Sequence, residues 1–421
     1  MKLRAGFFIA LRYLLGRARE GGRYLRGASA GIALSLVPII VTLIVADGMI
    51  QGITDRYLEL GTGHIQVYNF MDKDNLEDIV PLLKEYQGVR GIWPERHGLG
   101  LIVGKKGKIG ATIRAVDPAF WEDEGSRKYL QVIDGEAKLE ADNEVLLGEE
   151  LAKSLDAGIG STVRIMTLRS SDGGRTIPRL SIFKVKGIVS AGYRELDALW
   201  CIMSYNAGKR ILDAEMSSSF LLVKIDEPYT GAETMAVKLQ IELPIGINAY
   251  TWKEIQNSQY SSYESTRQLL LFIMALVVMV AAVNVSAATS MLVIERQRDI
   301  AVLKTAGASP ADATKVFLFG AFLTGLAGSV AGICAGLLIG SSINSIIHAL
   351  EAVLGFFSRI FGMEAVKILD PGYYLETIPI IIDWGAVFLI GLFTIASSVI
   401  ASWIPARRAG KLKPIEILRK Y

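Results

Sequence analysis

Residues 294–309 read Ile-Glu-Arg-Gln-Arg-Asp-Ile-Ala-Val-Leu-Lys-Thr-Ala-Gly-Ala-Ser, "IERQRDIAVLKTAGAS". Glu295, Arg296, Arg298, Asp299 and Lys304 crowd into a short stretch that closes on a cluster of small residues. The flanking segments, 268–294 and 316–350, contain no Asp, Glu, Lys or Arg, and neither do 27–46 and 384–406. A helix crosses a bilayer core with about 20 apolar residues, and all four windows reach that length. A single window of this kind is compatible with a buried core helix. Four of them, in a chain whose composition is 51% hydrophobic, predict four membrane spans.

Lys and Arg in short flanks set the orientation. Residues 1–26 hold seven (Lys2, Arg4, Arg12, Arg17, Arg19, Arg23, Arg26), residues 295–315 hold four, and residues 407–421 hold six. The stretch 351–383 holds Arg359 and Lys367 alone. The predicted organisation therefore has a cytoplasmic amphipathic segment at 1–26 and spans at 27–50, 263–294, 316–348 and 384–406. A large external α+β domain occupies 51–262, between spans 1 and 2. A cytoplasmic hairpin covers 295–315, an external loop 349–383 and a cytoplasmic tail 407–421. The basic run before the first span is too long for a secretory leader, and no Ala-x-Ala site follows, so the first span is expected to stay in place. Phe7, Leu11 and Leu14 share a helical face, which fits a helix at the inner interface or a basic tail.

In the third span Gly328, Gly332, Gly336 and Gly340 recur every four residues, a ridge of missing side chains on which another backbone can close. Ala282, Ser286 and Ser290 repeat the pattern in the second span, and Gly27, Gly31 and Ser35 in the first. Mid-span ionisable groups are scarce, which argues against an ion pathway. Asn284 is expected to bond between helices.

The external segment alternates strand and helix patterns. "HIQVYNF" (64–70), "FKVKGIVS" (183–190) and "FLLVKID" (220–226) read as strands, "NLEDIVPLLKEY" (75–86) and "GAETMAVKLQIEL" (231–243) as helices. "LRSSDGGRTIPRLS" (168–181) is rich in turn residues and reads as an exposed loop or extended hairpin; recognition and a plain solvated tip are both open. Several chemistries are excluded or unsupported. A net charge of +3 does not suggest a nucleic-acid binder. Two distant cysteines form no disulfide framework, and three histidines share no metal-ligand spacing. Gly-Lys pairs at 104, 107, 208 and 410 are never followed by Ser or Thr, so the chain offers no P-loop. It reads as a non-enzyme with no cofactor of its own.

Between its spans, 295–315 becomes a short helix with Glu295–Arg298 and Arg296–Asp299 spacings. Gly307 suits its C-terminus, and Ser309-Pro310 suits the cap and first turn of the next helix. It is a lever for a protein bound beneath it.

"ERQRDIAVLKTAGAS" (295–309), "IPARRAGKLKPIEILR" (404–419) and "LLGEELAKSLDAGIGSTVRI" (146–165) resemble the coupling segment, the ending and the external domain of the FtsX/MacB superfamily of ABC-transporter permeases. Residues 7–36, 47–67 and 373–384 resemble more narrowly the lipoprotein-releasing permeases of LolC/LolE type, although "VADGM" departs from the family's usual end of the first span. The resemblance implies a bacterial inner-membrane permease with its large domain in the periplasm, paired with a second permease subunit in a homo- or heterodimer and with two copies of an ATPase that bring the ATP-Mg. It implies that Glu295, Arg296, Asp299, Ile300, Leu303, Lys304 and Gly307 couple to the ATPase. Arg175, Ile177, Pro178 and Arg179 would meet a soluble periplasmic lipoprotein carrier. The acyl anchor of a lipoprotein cargo would pass near Val45, Met49, Ile53, Leu270 and Ile273, where membrane lipids also lie. Alternatives within the superfamily are a MacB-like exporter of peptides or drugs and an FtsX-like signalling permease that controls a cell-wall hydrolase.

Overall fold

The computed structural model of the chain describes residues 22–71, 76–171, 175–361, 375 and 377–413. It divides into a helical unit, with the described residues up to Met49, Tyr263–Phe356 and those from Ile378 onward, and a mixed α/β unit built mainly from Ile50–Ser262. The helices of the membrane region are α1 (Gly22–Arg56), α2 (Asn257–Glu295), α3 (Gln297–Thr305), α4 (Pro310–Ser341), α5 (Ile343–Phe361), α6 (Trp384–Ala401) and α7 (Trp403–Lys411). Among the described residues, four helices, α1, α2, α4 and α6 with α7, are long and apolar enough to cross a membrane, and the large domain follows the first. The expected amphipathic helix around Phe7 to Leu14 lies outside the described residues, as do 172–174 of the exposed segment and 414–421 of the tail.

Two boundaries differ from the sequence-based expectation. The third span is expected to run to 348 and to give way to a loop. Instead α4 ends at Ser341, whose hydroxyl bonds back to the Leu338 carbonyl, and after Ser342 a second helix, α5, runs to Phe361. Ser and Asn at 341–344 compete for backbone groups and favour a break there. Likewise α1 does not stop near 50. It continues to Arg56 and tightens into a π-helical turn, Tyr57–Thr62, that ends at Gly63 with φ +66. A Cβ at Gly63 would lie 2.7 Å from Leu222 Cδ2, so both space and backbone require glycine.

The glycine ridge of α4 packs on α1. A Cβ at Gly328 would stand 2.8 Å from Ile32 Cβ, at Gly332 2.8 Å from Leu36 Cβ, at Gly336 2.7 Å from Ile40 Cβ and at Gly340 2.5 Å from Ile44 Cδ1. Missing side chains thus let two helices approach to backbone contact, which is how helices gain van der Waals attraction in lipid. The first-span residues Gly27 and Gly31 have nothing within 4 Å of a Cβ and take no part; the α1 side of the contact is made by the large residues Ile32, Leu36, Ile40 and Ile44. Asn284 is exposed and makes no hydrogen bond among the described residues, because the inward face of α2 is carried by Met274, Val278, Ala281 and Val285. Buried hydroxyls of Thr289, Thr324, Thr394 and Ser398 bond to carbonyls one turn back, which satisfies them without water.

In the α/β unit, ten strands form one sheet: β1 (Ile65–Asn69), β2 (Val89–Val103), β3 (Lys108–Val116), β4 (Gln131–Gly135), β5 (Glu144–Gly148), β6 (Thr162–Ser171), β7 (Arg175–Ser190), β8 (Trp200–Ser204), β9 (Ser218–Ile225) and β10 (Ile247–Thr251). Their order is β10-β1-β9-β2-β3-β8-β5-β7-β4, with β6 pairing β2 and β7. One apolar core gathers Ile113, Val145, Leu147, Val163 and Cys201; another gathers Ile65, Val67, Leu221, Val223 and the helix Ala232–Glu242.

Candidate functional site

The inner end of the helical unit is a packed platform. Arg296 leaves helical geometry (φ −96, ψ 16), so α2 stops and α3 starts with a change of direction. The Glu295–Arg298 pair does not form because this break falls between them, whereas Arg296 donates to Asp299 at 3.1 Å. Gly307 at φ +94 closes α3, and the Ala308 amide donates to the Leu303 carbonyl at 3.0 Å. Ser309 and Asp312 then form a capping box at the start of α4. Ile300 is buried with Leu25, Leu292, Phe317, Ala406 and Ala409, and Ala301 beside it is buried too. Lys304 Nζ donates to the carbonyls of Gly410 and Leu412, at 2.7 Å each, and so caps α7.

This geometry sorts the residues that the resemblance named. Ile300 is buried and Lys304 is turned onto α7, so both hold α3 in place and neither offers a contact outward. Leu303 and Arg296 are half-buried, while Glu295 and Gly307 are exposed and Asp299 is about half exposed. The outward stripe of α3 and its approach is Glu295, Arg298, Val302 and Thr305. Sequence reasoning missed Arg298, Val302 and Thr305, although their spacing of three and four residues could have identified them.

The outer end of the same unit is fastened by charge. Arg267 on α2 bonds Asp47 on α1 through Nε at 2.8 Å and Asp383, the cap of α6, through Nη2 at 2.6 Å. A short strap leads into α6. Asn344 brackets Ile378 with two hydrogen bonds, of 2.9 and 3.1 Å, and a Cβ on Gly48 would strike the Pro379 carbonyl at 2.0 Å. Val45, Met49 and Leu270 are half-buried beside this tie, Ile273 is 46% exposed, and Ile53 belongs to the other unit.

In the α/β unit the segment 168–181 is the end of a long hairpin. Arg169 pairs with Ile177, Leu168 with Pro178 and Ser171 with Arg175. Arg175, Ile177 and Pro178 are exposed, as are Leu168, Leu180 and Ile182. Proline is tolerated because this part of the ribbon has no third strand. Arg179 instead turns inward and donates to the Arg210 carbonyl, at a cleft of about 400 Å³ also lined by Arg169, Lys209 and Asp213.

Buried charge in this unit has no counterpart in the sequence-based expectation. Lys224, fully buried in β9, lies 3.0 Å from Glu59 and 2.6 Å from Asp123, and the π-helical turn brings Glu59 there. Burial would raise the Asp123 carboxyl, but Lys224 outweighs it and holds the group below the usual carboxylate value. Glu95 is buried too, and Arg114, at 2.7 Å, with His97 overcomes burial in the same sense. These ion pairs knit strands and helix end together. Nothing in the arrangement is a catalytic constellation, and no group of His, Cys, Asp and Glu among the described residues could hold a metal.

A model of the MacB-like periplasmic core domain matches residues 28–238, half of the chain, and a model of the FtsX-like permease C-terminal region matches residues 271–414. The chain is 25% identical over 98% of its length to 98% of the lipoprotein-releasing system transmembrane protein LolC of Neisseria meningitidis serogroup B. It is 22% identical to LolE of Haemophilus influenzae, over 99% of both chains. The crystal structure of the periplasmic region of MacB from Actinobacillus actinomycetemcomitans aligns with 48% of this chain and 95% of its own, at 18% identity and TM-score 0.30. With the MacB-like core, the FtsX-like C-terminal region and four apolar helices in this order, the chain belongs to the FtsX/MacB superfamily of ABC-transporter permeases as a multi-pass membrane protein with a periplasmic domain.

Proposed function

We propose that the chain is a permease subunit that extracts lipoproteins from the bacterial inner membrane and passes them to a periplasmic carrier for sorting to the outer membrane. The observation that carries this reading is the end-to-end match to lipoprotein-releasing transmembrane proteins of both LolC and LolE type. Energy enters from an ATPase on a separate subunit, two copies of which serve a permease pair; this reading accords with residues 1–421 carrying no P-loop. The ATPase meets the stripe Glu295, Arg298, Val302 and Thr305 together with the neighbouring Asp299 and Gly307. Ile300 and Lys304 tie α3 to α4 and α7, so a displacement of α3 moves the spans with it. The exposed end of the β6–β7 hairpin, with Arg175, Ile177 and Pro178, offers a mixed basic and apolar surface to the carrier.

The test is reconstitution of the full chain with its ATPase and second permease in liposomes that carry an acylated lipoprotein. Release into solution is expected to need both ATP and a soluble carrier. Hydrolysis without release, with a peptide or drug transported instead, overturns the cargo assignment. Release by the chain and carrier without ATPase overturns the assigned energy source.

A further inference from the structure

Helix α5 is joined to the span α4 by Ser342 alone. Its apolar portion, Ile343–Ser358, is too short to cross a bilayer. Contacts at its first turn fix its height. Gly340, just before the break, packs on Ile44, and Asp47 lies one helical turn beyond Ile44. Asn344 is bonded to Ile378, and the next residue, Pro379, rests on Gly48. The helix therefore starts level with Asp47, Arg267 and Asp383, the charged layer that closes the apolar part of α1, α2 and α6.

From that level α5 carries an apolar stripe. Ile346, Leu350, Val353 and Phe357 stand at i, i+4, i+7 and i+11, and they are 42%, 49%, 51% and 52% exposed. Asn344, Ile347, Glu351 and Leu354 take the half-buried side. His348 pairs with Glu351 at 3.5 Å, away from the stripe. A helix of this length whose exposed apolar surface also takes in Phe356, at 63% exposure, with Ser345 and His348 as the polar part of the remaining arc, suits a boundary between water and hydrocarbon. The helix follows a membrane-spanning helix after a single residue, so its first turn stands beside the leaflet that surrounds the outer end of α4.

We propose that α5 lies in the external membrane–water interface, with Ile346, Leu350, Val353 and Phe357 seated among the acyl chains of the outward leaflet and His348 at the level of the headgroups. This placement rests on the fold alone and stands whichever cargo the protein moves. Lipid contact along this stripe would hold the outer end of α4 at a fixed depth, because sliding along the membrane normal would drag four large apolar side chains into water or a polar arc into hydrocarbon.

The test uses the full chain in nanodiscs of phosphatidylethanolamine and phosphatidylglycerol, with Cys334→Ala to remove the exposed native thiol. Single cysteines at 346, 350, 353 and 357, and at the exposed positions 345, 348 and 352, carry a nitroxide label. Collision with oxygen, which concentrates in lipid, should exceed collision with a water-soluble nickel chelate severalfold at the first set and reverse at the second. Nickel dominance at both sets overturns the proposal, since the stripe then faces water. Low access to both reagents with dipolar broadening between chains overturns it in favour of a second copy. Where a labelled variant fails to fold, a tryptophan at the same position takes its place and is read by brominated-lipid quenching; quenching is expected, and its absence again refutes the interface.

Discussion

Replacing Lys304 with Met keeps the length and apolar stem of the side chain and removes its charge. The structure fixes what is lost: two charge-assisted hydrogen bonds, to the carbonyls of Gly410 in the last turn of α7 and of Leu412 just after it. Such bonds contribute about 1.5–3 kcal/mol each where water is excluded. Lys304 is half-buried, so water takes over part of the bonding and the net loss is about 1–2 kcal/mol for the pair. That corresponds to roughly a 5–30-fold shift between docked and undocked α3. Ile300 still packs against Leu292 and Phe317, and burial of an isoleucine is worth about 1.5–3 kcal/mol. The variant should therefore fold and reach the membrane with α3 mostly docked. Hydrogen exchange of amides 298–305 should quicken by that factor while amides within α4 stay protected. In the reconstituted complex, release per ATP hydrolysed should fall, and Lys304→Arg should restore much of it. Unchanged exchange at α3 in Lys304→Met would refute the account of how the platform is held.

Gly332→Leu should lower thermal stability in detergent by about 1–3 kcal/mol, because the new side chain meets the Ala33 carbonyl and cannot be relieved by a rotamer change; Gly31→Ala should be neutral. Arg267→Ala leaves Asp47 and Asp383 facing each other, so melting should fall and the charge-exchanged pair Asp47→Arg with Arg267→Asp should recover part of the loss. Burial pushes the Asp197 carboxyl up to about 6, although the Ala191 amide and Ser190 hydroxyl oppose the shift. Its stabilising effect is full below about pH 4 and is lost as pH rises through about 6, a change of about 3 kcal/mol at most, and Asp197→Asn should flatten that part of the denaturation profile. Photo-crosslinkers at 175 and 177 should capture a soluble carrier more efficiently than one at 179, whose side chain bonds Arg210; capture at 179 alone would contradict the outward placement of the hairpin end.

The spans were legible because a charge inside 20 or so residues of hydrocarbon is costly, so a charge-free window of that length marks a segment that lipid has selected. The strands of the external domain were legible for a related reason, since Leu221, Leu222 and Val223 need a dry interior. What stayed hidden is pairing over distance. Lys304 reads as a solvent-seeking residue of a charged helix, and its carbonyl partners lie 106 and 108 positions away. Asp47, Arg267 and Asp383 each end an apolar run and look like separate interfacial charges until the fold brings them together. Lys224 interrupts "FLLVKI" as an ordinary alternation would, and its burial depends on a π-helical turn that delivers Glu59 from outside the sheet. Small residues were over-read in α1: Gly27 and Gly31 have the spacing of the α4 ridge, but a ridge needs an opposing surface, and Ile32 to Ile44 already supply the one that α4 meets.

Under the proposed function, these contacts limit where an acyl chain would reach the helical unit. At its inner end α3 is tied to α7 through Lys304 and packed on α4 through Ile300. At its outer end Arg267 joins α1, α2 and the start of α6. Between them the α4 glycines bring their backbone against α1, so a relative slide of one residue would drive Gly332 or Gly336 into Leu36 or Ile40. Within one chain the helices are thus fixed at three heights and move together more readily than they part. Val45 and Met49 flank Asp47 along α1 and are half-buried, as is Leu270 one turn from Arg267, whereas Ile273 is 46% exposed. Under the proposed function, a lipid anchor would approach these residues from the Ile273 side of α2, because opening α1 from α2 inside the chain would separate Arg267 from a carboxylate that is only 11% exposed.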